Sequence, residues 1–137
     1  MSTAQVSLAP TPSRGVVVLL VIQSALVAVF YLGACGFYLV VSATAGWPDS
    51  LGPEHDPKDY WPALLWSAYP MVVLSALVGH ILAAALVPAG LWTLVQPGVR
   101  RQRRLAWALA ATTALCAGMV VLIMTPVGQH LQNWMLD

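Results

Sequence analysis

The sequence predicts an all-α, polytopic integral membrane protein, a bundle of three transmembrane helices with a cytoplasmic N-terminus and an extracytoplasmic C-terminus. Three observations lead to this fold class: three long apolar runs, a scarcity of charge and an uneven distribution of arginine. Of the 137 residues, 59% are hydrophobic and only 8% are charged, whereas soluble domains carry about a quarter charged residues. A soluble fold of this length would need polar cover that this chain lacks, so lipid is the predicted solvent.

The three apolar runs supply the predicted helices, because a helix needs about 20 residues to cross the hydrocarbon core of a bilayer. The runs lack the period-two alternation of barrel strands. The six tryptophans fall near predicted span ends, where an indole buries its ring while its N–H reaches water. Pro88 removes a helical hydrogen bond in the second run, so a kink is predicted there. The predicted order is a flexible cytoplasmic tail at 1–14, transmembrane helix one at 15–45, an acidic extracytoplasmic loop at 46–61, transmembrane helix two at 62–95, a basic cytoplasmic loop at 96–104, transmembrane helix three at 105–127 and an extracytoplasmic C-terminal segment at 128–137.

The distribution of charge predicts the orientation. Arg14 precedes the first run, and Arg100, Arg101, Arg103 and Arg104 lie between the second and third runs. The other connection carries four acidic residues and one lysine. Because short loops rich in Lys and Arg stay cytoplasmic, the tail and this basic loop are predicted inside, and the acidic loop and the C-terminus outside. Five of the six basic residues are Arg, which indicates a GC-rich bacterial genome, so we predict a multi-pass protein of a bacterial plasma membrane. The four loop arginines are predicted to contact anionic lipid, whereas a net charge of +1 gives no reason to expect a nucleic-acid partner.

The first run resembles two kinds of cleaved segment, and its length argues against both. A signal-peptide core has about 7–15 apolar residues, and this run is roughly twice as long. The motif LGAC at 32–35 resembles a lipoprotein cleavage box, but the apolar stretch GFYLVV continues beyond Cys35. We therefore predict an uncleaved transmembrane helix.

His80 lies at the predicted midpoint of the second span, the depth least hospitable to a polar group. Ser75, Gly79 and Ala83 form an adjoining ridge of small residues at spacing four, and such ridges let helix backbones approach closely. We therefore expect His80 to point into a helix–helix contact and to form a hydrogen bond across helices. The alternatives are a proton relay or permeation element, a haem or metal ligand, and a contact to a small molecule.

Tyr31 and Cys116 fall at the predicted depth of His80, and together the three residues form a candidate intramembrane polar site. A Tyr hydroxyl can bond an imidazole, and a His–Cys pair suits soft metals such as copper. A haem would need a second axial ligand from another chain, because no other histidine lies at this depth. We expect no resident cofactor, with haem or metal at His80 as the alternative.

Two further features concern helix packing. Ala110, Ala114 and Gly118 form a second ridge at spacing four in the third run, and two ridges suit either a compact bundle or a homo-oligomer. Gln23, about two turns beyond Arg14, is expected to bond another helix or to reach interfacial water.

The chain lacks the usual signatures of catalysis. It has no Gly-rich phosphate loop, nucleophile elbow or HExxH motif, and its loops are too short for a soluble catalytic domain. We predict a small non-enzymatic membrane protein that serves as an accessory or packing subunit, with lipid and other membrane subunits or itself as partners. The alternatives are a homo-oligomeric channel or small transporter with His80 in the pathway, and a membrane redox anchor that carries haem or a metal.

Overall fold

The computed structural model describes residues 13–45, 51 and 55–136. Within these residues the chain is helical and contains no strand. The predicted tail, up to residue 12, and parts of the acidic loop, including Trp47, Asp49 and Glu54, lie outside the described residues. The helices are α1 (Arg14–Ala45), α2 (Pro57–Tyr60), a 3₁₀ helix (Ala63–Ala68), α3 (Tyr69–Leu77), α4 (Gly79–Val95), α5 (Pro97–Arg101), α6 (Arg103–Ile123) and α7 (Pro126–Leu136).

Two of these helices, α1 and α6, are long and apolar enough to cross a membrane. The 3₁₀ helix and α3, together spanning Ala63–Leu77, make a third candidate span with α4 if this bent pair is taken as one. Most residues of α1 and α6 face outward, which suits a lipid solvent because a helix satisfies its own backbone polar groups. The predicted all-α fold is confirmed in the described residues. The helix α6 ends at Ile123, before the end of the apolar run at 105–127.

The first helix changes its winding in the middle. Residues Val29–Cys35 form a π-helix, in which the N–H of Gly36 donates to the carbonyl of Tyr31, five residues earlier. At Gly33 a Cβ atom would come within 2.8 Å of Val72 Cγ2 on α3. The glycine therefore lets the backbone of α1 approach α3 closely.

The second candidate span is bent by 65° between α3 and α4. The bend lies at Val78, whose φ of −121° and ψ of −9° leave the helical region, and not at Pro88, where the sequence predicts a kink. The helix α4 continues through Pro88 to Val95. Next to the bend, a Cβ on Gly79 would come within 2.5 Å of Met119 Cε on α6. Close packing at this glycine therefore accompanies the break, whereas the missing N–H of Pro88 is tolerated, as is common in membrane helices.

The two ends of the bundle differ in chemistry. At one end Val16, Val99 and Leu109 form a buried cluster that joins the start of α1 to α5 and α6. This cluster brings Arg14 to the same end as the four loop arginines. At the other end Asp56 begins α2, where its carboxylate accepts a hydrogen bond of 2.9 Å from the backbone N–H of Lys58. That bond lowers the pKa of Asp56.

The C-terminal helix α7 folds back over the end of the bundle that carries α2. Thr125 caps it, since its Oγ1 accepts a hydrogen bond of 3.2 Å from the N–H of Gly128, and Pro126 occupies the first helical position, where its missing N–H costs nothing. A Cβ at Gly128 would collide with the backbone of Leu122. The tight turn after α6 therefore requires a glycine at this position.

Aromatic side chains hold α7 in place. Trp134 is 2% exposed, and its ring lies 5.5 Å from Phe37 and 5.6 Å from Tyr38, both on α1. Its indole N–H donates to the carbonyl of His55 at 2.7 Å. The prediction that the tryptophan N–H groups reach water is therefore wrong for Trp134, because a tertiary contact supplies the acceptor.

Candidate functional site

The most complete polar arrangement inside the bundle centres on Gln23 of α1, which is 0% exposed. Its Nε2 donates to the carbonyl of Leu86 on α4 at 3.2 Å and to Thr113 Oγ1 on α6 at 3.3 Å. Its Oε1 accepts from Thr112 Oγ1 at 2.9 Å and from Thr113 Oγ1 at 3.4 Å. These four residues, here called the amide cluster, join three helices through one side chain.

The amide cluster leaves Gln23 fully satisfied, because a primary amide has two N–H donors and one carbonyl oxygen with two lone pairs. Each hydrogen bond between membrane helices stabilises the bundle by about 0.6–2 kcal/mol. A Cβ at Gly90 of α4 would collide with Thr113 Oγ1 and come within 2.9 Å of Gln23 Nε2. The absence of a side chain at Gly90 is therefore what allows α4 to close against the cluster.

His80 lies in the first turn of α4, directly after the bend. It is half-buried, and its Nδ1 is buried without a hydrogen-bond partner among the described residues. Gln132 of α7 satisfies another polar group near the bend, since its Nε2 donates to the carbonyl of Ala76 at 2.9 Å. A helix that ends leaves carbonyl groups without intrahelical donors. Near the bend, the Ala76 carbonyl therefore has a hydrogen-bond donor, whereas His80 Nδ1 has no partner among the described residues.

The predicted layer of Tyr31, His80 and Cys116 does not form a hydrogen-bonded network in the described structure. The Tyr31 hydroxyl donates to the carbonyl of Leu115 on α6 at 3.1 Å and not to His80. Cys116 is a free, fully buried thiol within the main apolar core. It behaves there as a small apolar side chain.

The two predicted ridges of small residues have different surroundings. Ser75, Gly79 and Ala83 are all buried within the bundle. In the second ridge Ala110 is half-buried, whereas Ala114 and Gly118 are exposed. A Cβ at Gly118 would nevertheless lie 3.0 Å from the Tyr31 hydroxyl on α1.

An open apolar groove of about 640 Å³ runs between α1 and the bent span. Its small lining residues are Ala25, Ser75, Gly79 and Ala85. Its larger lining residues include Ile22, Leu26, Val29, Leu74, Val78 and Leu82.

The four predicted lipid-contacting arginines are all exposed at the opposite end from α2, and they fall into two pairs. Arg100 and Arg103 line a cleft of about 540 Å³ between the end of α4 and the start of α6. Arg101 and Arg104 do not line it.

A haem or metal site at His80 would need further ligand side chains close to it. Within residues 13–45, 51 and 55–136, no three His, Cys, Asp or Glu side chains lie close enough together to hold a metal ion. A haem or a metal at His80 stays a prediction.

The amide cluster is the site that the sequence predicts least well. A usable signal was nevertheless present, because polar residues inside apolar spans are rare and usually face the bundle interior. Gln23 follows Arg14 by the same number of residues as Thr113 follows Arg104, so the two side chains lie at equal depth in helices that start from the same end.

No family model, no curated protein and no solved structure matches this chain.

Proposed function

We propose that this chain is a small, non-enzymatic membrane protein that packs as an accessory subunit within a larger membrane assembly. In this proposal α1, the bent pair α3–α4 and α6 cross a bacterial plasma membrane, with the N-terminus in the cytoplasm and the C-terminus outside. The observation that carries the subunit role is the open apolar groove between α1 and the bent span.

The groove suits a transmembrane helix of another protein better than disordered acyl chains. Two helices wall it with aliphatic side chains, and its lining includes the small, exposed residues Ala25 and Ala85. Without a hydrophobic driving force between helices in lipid, association depends on close packing over small residues. The expected partner segment is therefore an apolar helix with small residues on its contact face.

Two other features support the proposal. The polar atoms of Gln23 are used in joining helices of the same chain, which suits a structural role for the amide cluster. Arg14 and the four loop arginines share one end of the bundle, and the positive-inside rule places such an end in the cytoplasm.

A matched pair of substitutions on α4 tests the proposal. Leu82 lines the groove and is 52% exposed, whereas Leu91 is 55% exposed and lies outside it. We expect the tagged full chain, purified in mild detergent, to retain a stoichiometric membrane partner. Leu82→Trp should weaken this association about tenfold or more, and Leu91→Trp should leave it unchanged. A chain that runs alone as a monomer, or equal losses in both variants, would contradict the subunit role.

A homo-oligomeric channel or small transporter is the second candidate, and the bend at Val78 favours it. Broken membrane helices form binding sites near the midplane in transporters, and His80 brings an unpartnered Nδ1 to such a break. Liposomes that contain the purified chain should then show a pH-dependent ion flux that His80→Ala abolishes. A Soret band lost in His80→Ala would instead indicate a haem-carrying redox anchor.

A further inference from the structure

We propose that the cleft between the end of α4 and the start of α6 binds the headgroup of an anionic phospholipid. The cleft has a volume of about 540 Å³ and is lined by two arginines, Arg100 and Arg103. This site rests on the proposed placement of the chain in a membrane but is independent of its role as a subunit.

The packing of the basic turn holds the two arginines beside the cleft. Val99, the neighbour of Arg100, is 5% exposed and packs with Val16 and Leu109 at this end of the bundle. The chain then reverses direction at Gln102, whose φ of −96° and ψ of 81° interrupt the helix between α5 and α6. The arginines on either side of this break therefore extend from a turn that is fastened to the bundle.

Within the part of the chain that the structure describes, the charge of the cleft has no compensating carboxylate. Among the described residues, no carboxylate lies within ion-pairing distance of the four loop arginines, and the Lys58–Asp56 pair lies at the other end of the bundle. A guanidinium group presents its N–H donors in a planar fork that matches phosphate oxygens in a bidentate manner. Arg100 and Arg103 can thus offer a phosphate both charge and directed hydrogen bonds.

The remaining lining residues of the cleft are apolar and lie on α4 and α6, away from the basic turn. They consist of Leu94 at the end of α4 and of Ala106, Trp107 and Ala110 on α6. Trp107 is 76% exposed, as is typical of an indole at the headgroup level. Along α6 the basic Arg103 thus comes first and the apolar lining residues follow, an order that matches the headgroup and acyl chains of a phospholipid. Free phosphate and nucleic acid have no hydrocarbon chains that could pack against the apolar lining residues.

A comparison of two pairs of arginines can distinguish a defined lipid site from general electrostatic attraction to an anionic membrane. Arg101 and Arg104 have the same charge as the cleft pair and are also exposed, but they lie outside the cleft. Attraction to an anionic surface depends on the total number of basic residues and would weaken equally on loss of either pair. A defined site would respond only to loss of Arg100 and Arg103.

The test uses the full chain in bilayers that contain phosphatidylglycerol with acyl chains brominated near the headgroup, with brominated phosphatidylcholine as the zwitterionic control. The measurement is quenching of tryptophan fluorescence, and Trp107→Phe identifies the contribution of Trp107. We expect phosphatidylglycerol to quench Trp107 at a concentration about tenfold lower than phosphatidylcholine. The double variant Arg100→Gln, Arg103→Gln should lose this preference, and Arg101→Gln, Arg104→Gln should keep it.

Three results would overturn the site. These are equal quenching by the two lipids, equal losses in the two double variants, and displacement of phosphatidylglycerol by millimolar inorganic phosphate, which would indicate a site for the free anion. Helix content by circular dichroism should be the same in all variants. The outcome is separable from that of the subunit proposal, because Leu82→Trp should leave the lipid preference unchanged. Recovery of the chain outside the membrane fraction would overturn both proposals.

Discussion

Gln23 and His80 are both polar residues inside apolar helices, yet their surroundings are opposite. Gln23 is fully buried, and its side-chain amide forms hydrogen bonds to two other helices through both its nitrogen and its oxygen. His80 is half-buried, and its Nδ1 has no partner among the described residues. The comparison teaches that polarity within a span does not by itself mark a functional site. What separates a structural residue from an available one is whether its hydrogen bonds are already made.

The largest expected effect comes from closing the space over the amide cluster. In Gly90→Ala the new Cβ would collide with Thr113 Oγ1 and push α4 away from Gln23. We expect a loss of about 2–3 kcal/mol in the free energy of unfolding, from overpacking and weakened hydrogen bonds. Unfolding in mixed detergent, followed by circular dichroism, measures it. Gly98→Ala is the matched control, because a Cβ there meets nothing within 4 Å; similar losses in both variants would refute the close packing at Gly90.

The second-largest effect is expected from removing the hydrogen bonds of Gln23. We expect Gln23→Leu to lower the free energy of unfolding by about 1–2 kcal/mol, since it removes the hydrogen bonds that join α1 to α4 and α6 while keeping most of the side-chain volume. In a double-mutant cycle with Thr113→Val, the coupling energy should be about 1 kcal/mol. A coupling energy of zero would mean that the two side chains do not stabilise each other.

A much smaller effect on stability is expected at His80. His80→Leu breaks no hydrogen bond at Nδ1, so the free energy of unfolding should change by less than about 0.5 kcal/mol. The oligomeric state in detergent should be compared in the same samples. A large loss of stability, or dissociation of an oligomer, would show that His80 has a partner in another copy of the chain.

The smallest expected effect is the coupling energy between Tyr31 and His80, which tests their predicted pairing. The Tyr31 hydroxyl donates to the Leu115 carbonyl instead, so Tyr31→Phe and His80→Leu should act independently. Their coupling energy in a double-mutant cycle should be below about 0.3 kcal/mol. A coupling energy of about 1 kcal/mol or more would restore the polar layer that the sequence predicts.

The sequence predicts the helices well because transfer into lipid depends on the composition of each segment. The apolar run at 15–45 corresponds to α1, and the basic loop at 96–104 contains the turn between α4 and α6. It predicts the polar contacts poorly, because depth alone allows Tyr31, His80 and Cys116 to meet. Depth does not state which way each side chain faces around its helix.

The bend in the second candidate span and the C-terminal helix α7 show the same contrast between local features, which the sequence predicts, and tertiary contacts, which it does not. Pro88 carries the strongest local signal for a kink, but the span bends at Val78, beside the close approach of Gly79 to Met119. Thr125 and Pro126 form a recognisable helix start, yet nothing local indicates that α7 would fold back and bury Trp134.

By itself the sequence determined that the chain forms apolar helices, that four of the five arginines collect in one connection and that four of the five acidic residues collect in another. Hydropathy and charge follow directly from the order of residues along the chain. Only the tertiary structure decided where the second span bends, which amide is saturated, which imidazole nitrogen is left without a partner and which two of four arginines share a cleft. Those outcomes depend on atoms from distant segments coming within a few ångströms of each other, and one missing Cβ can decide whether they do.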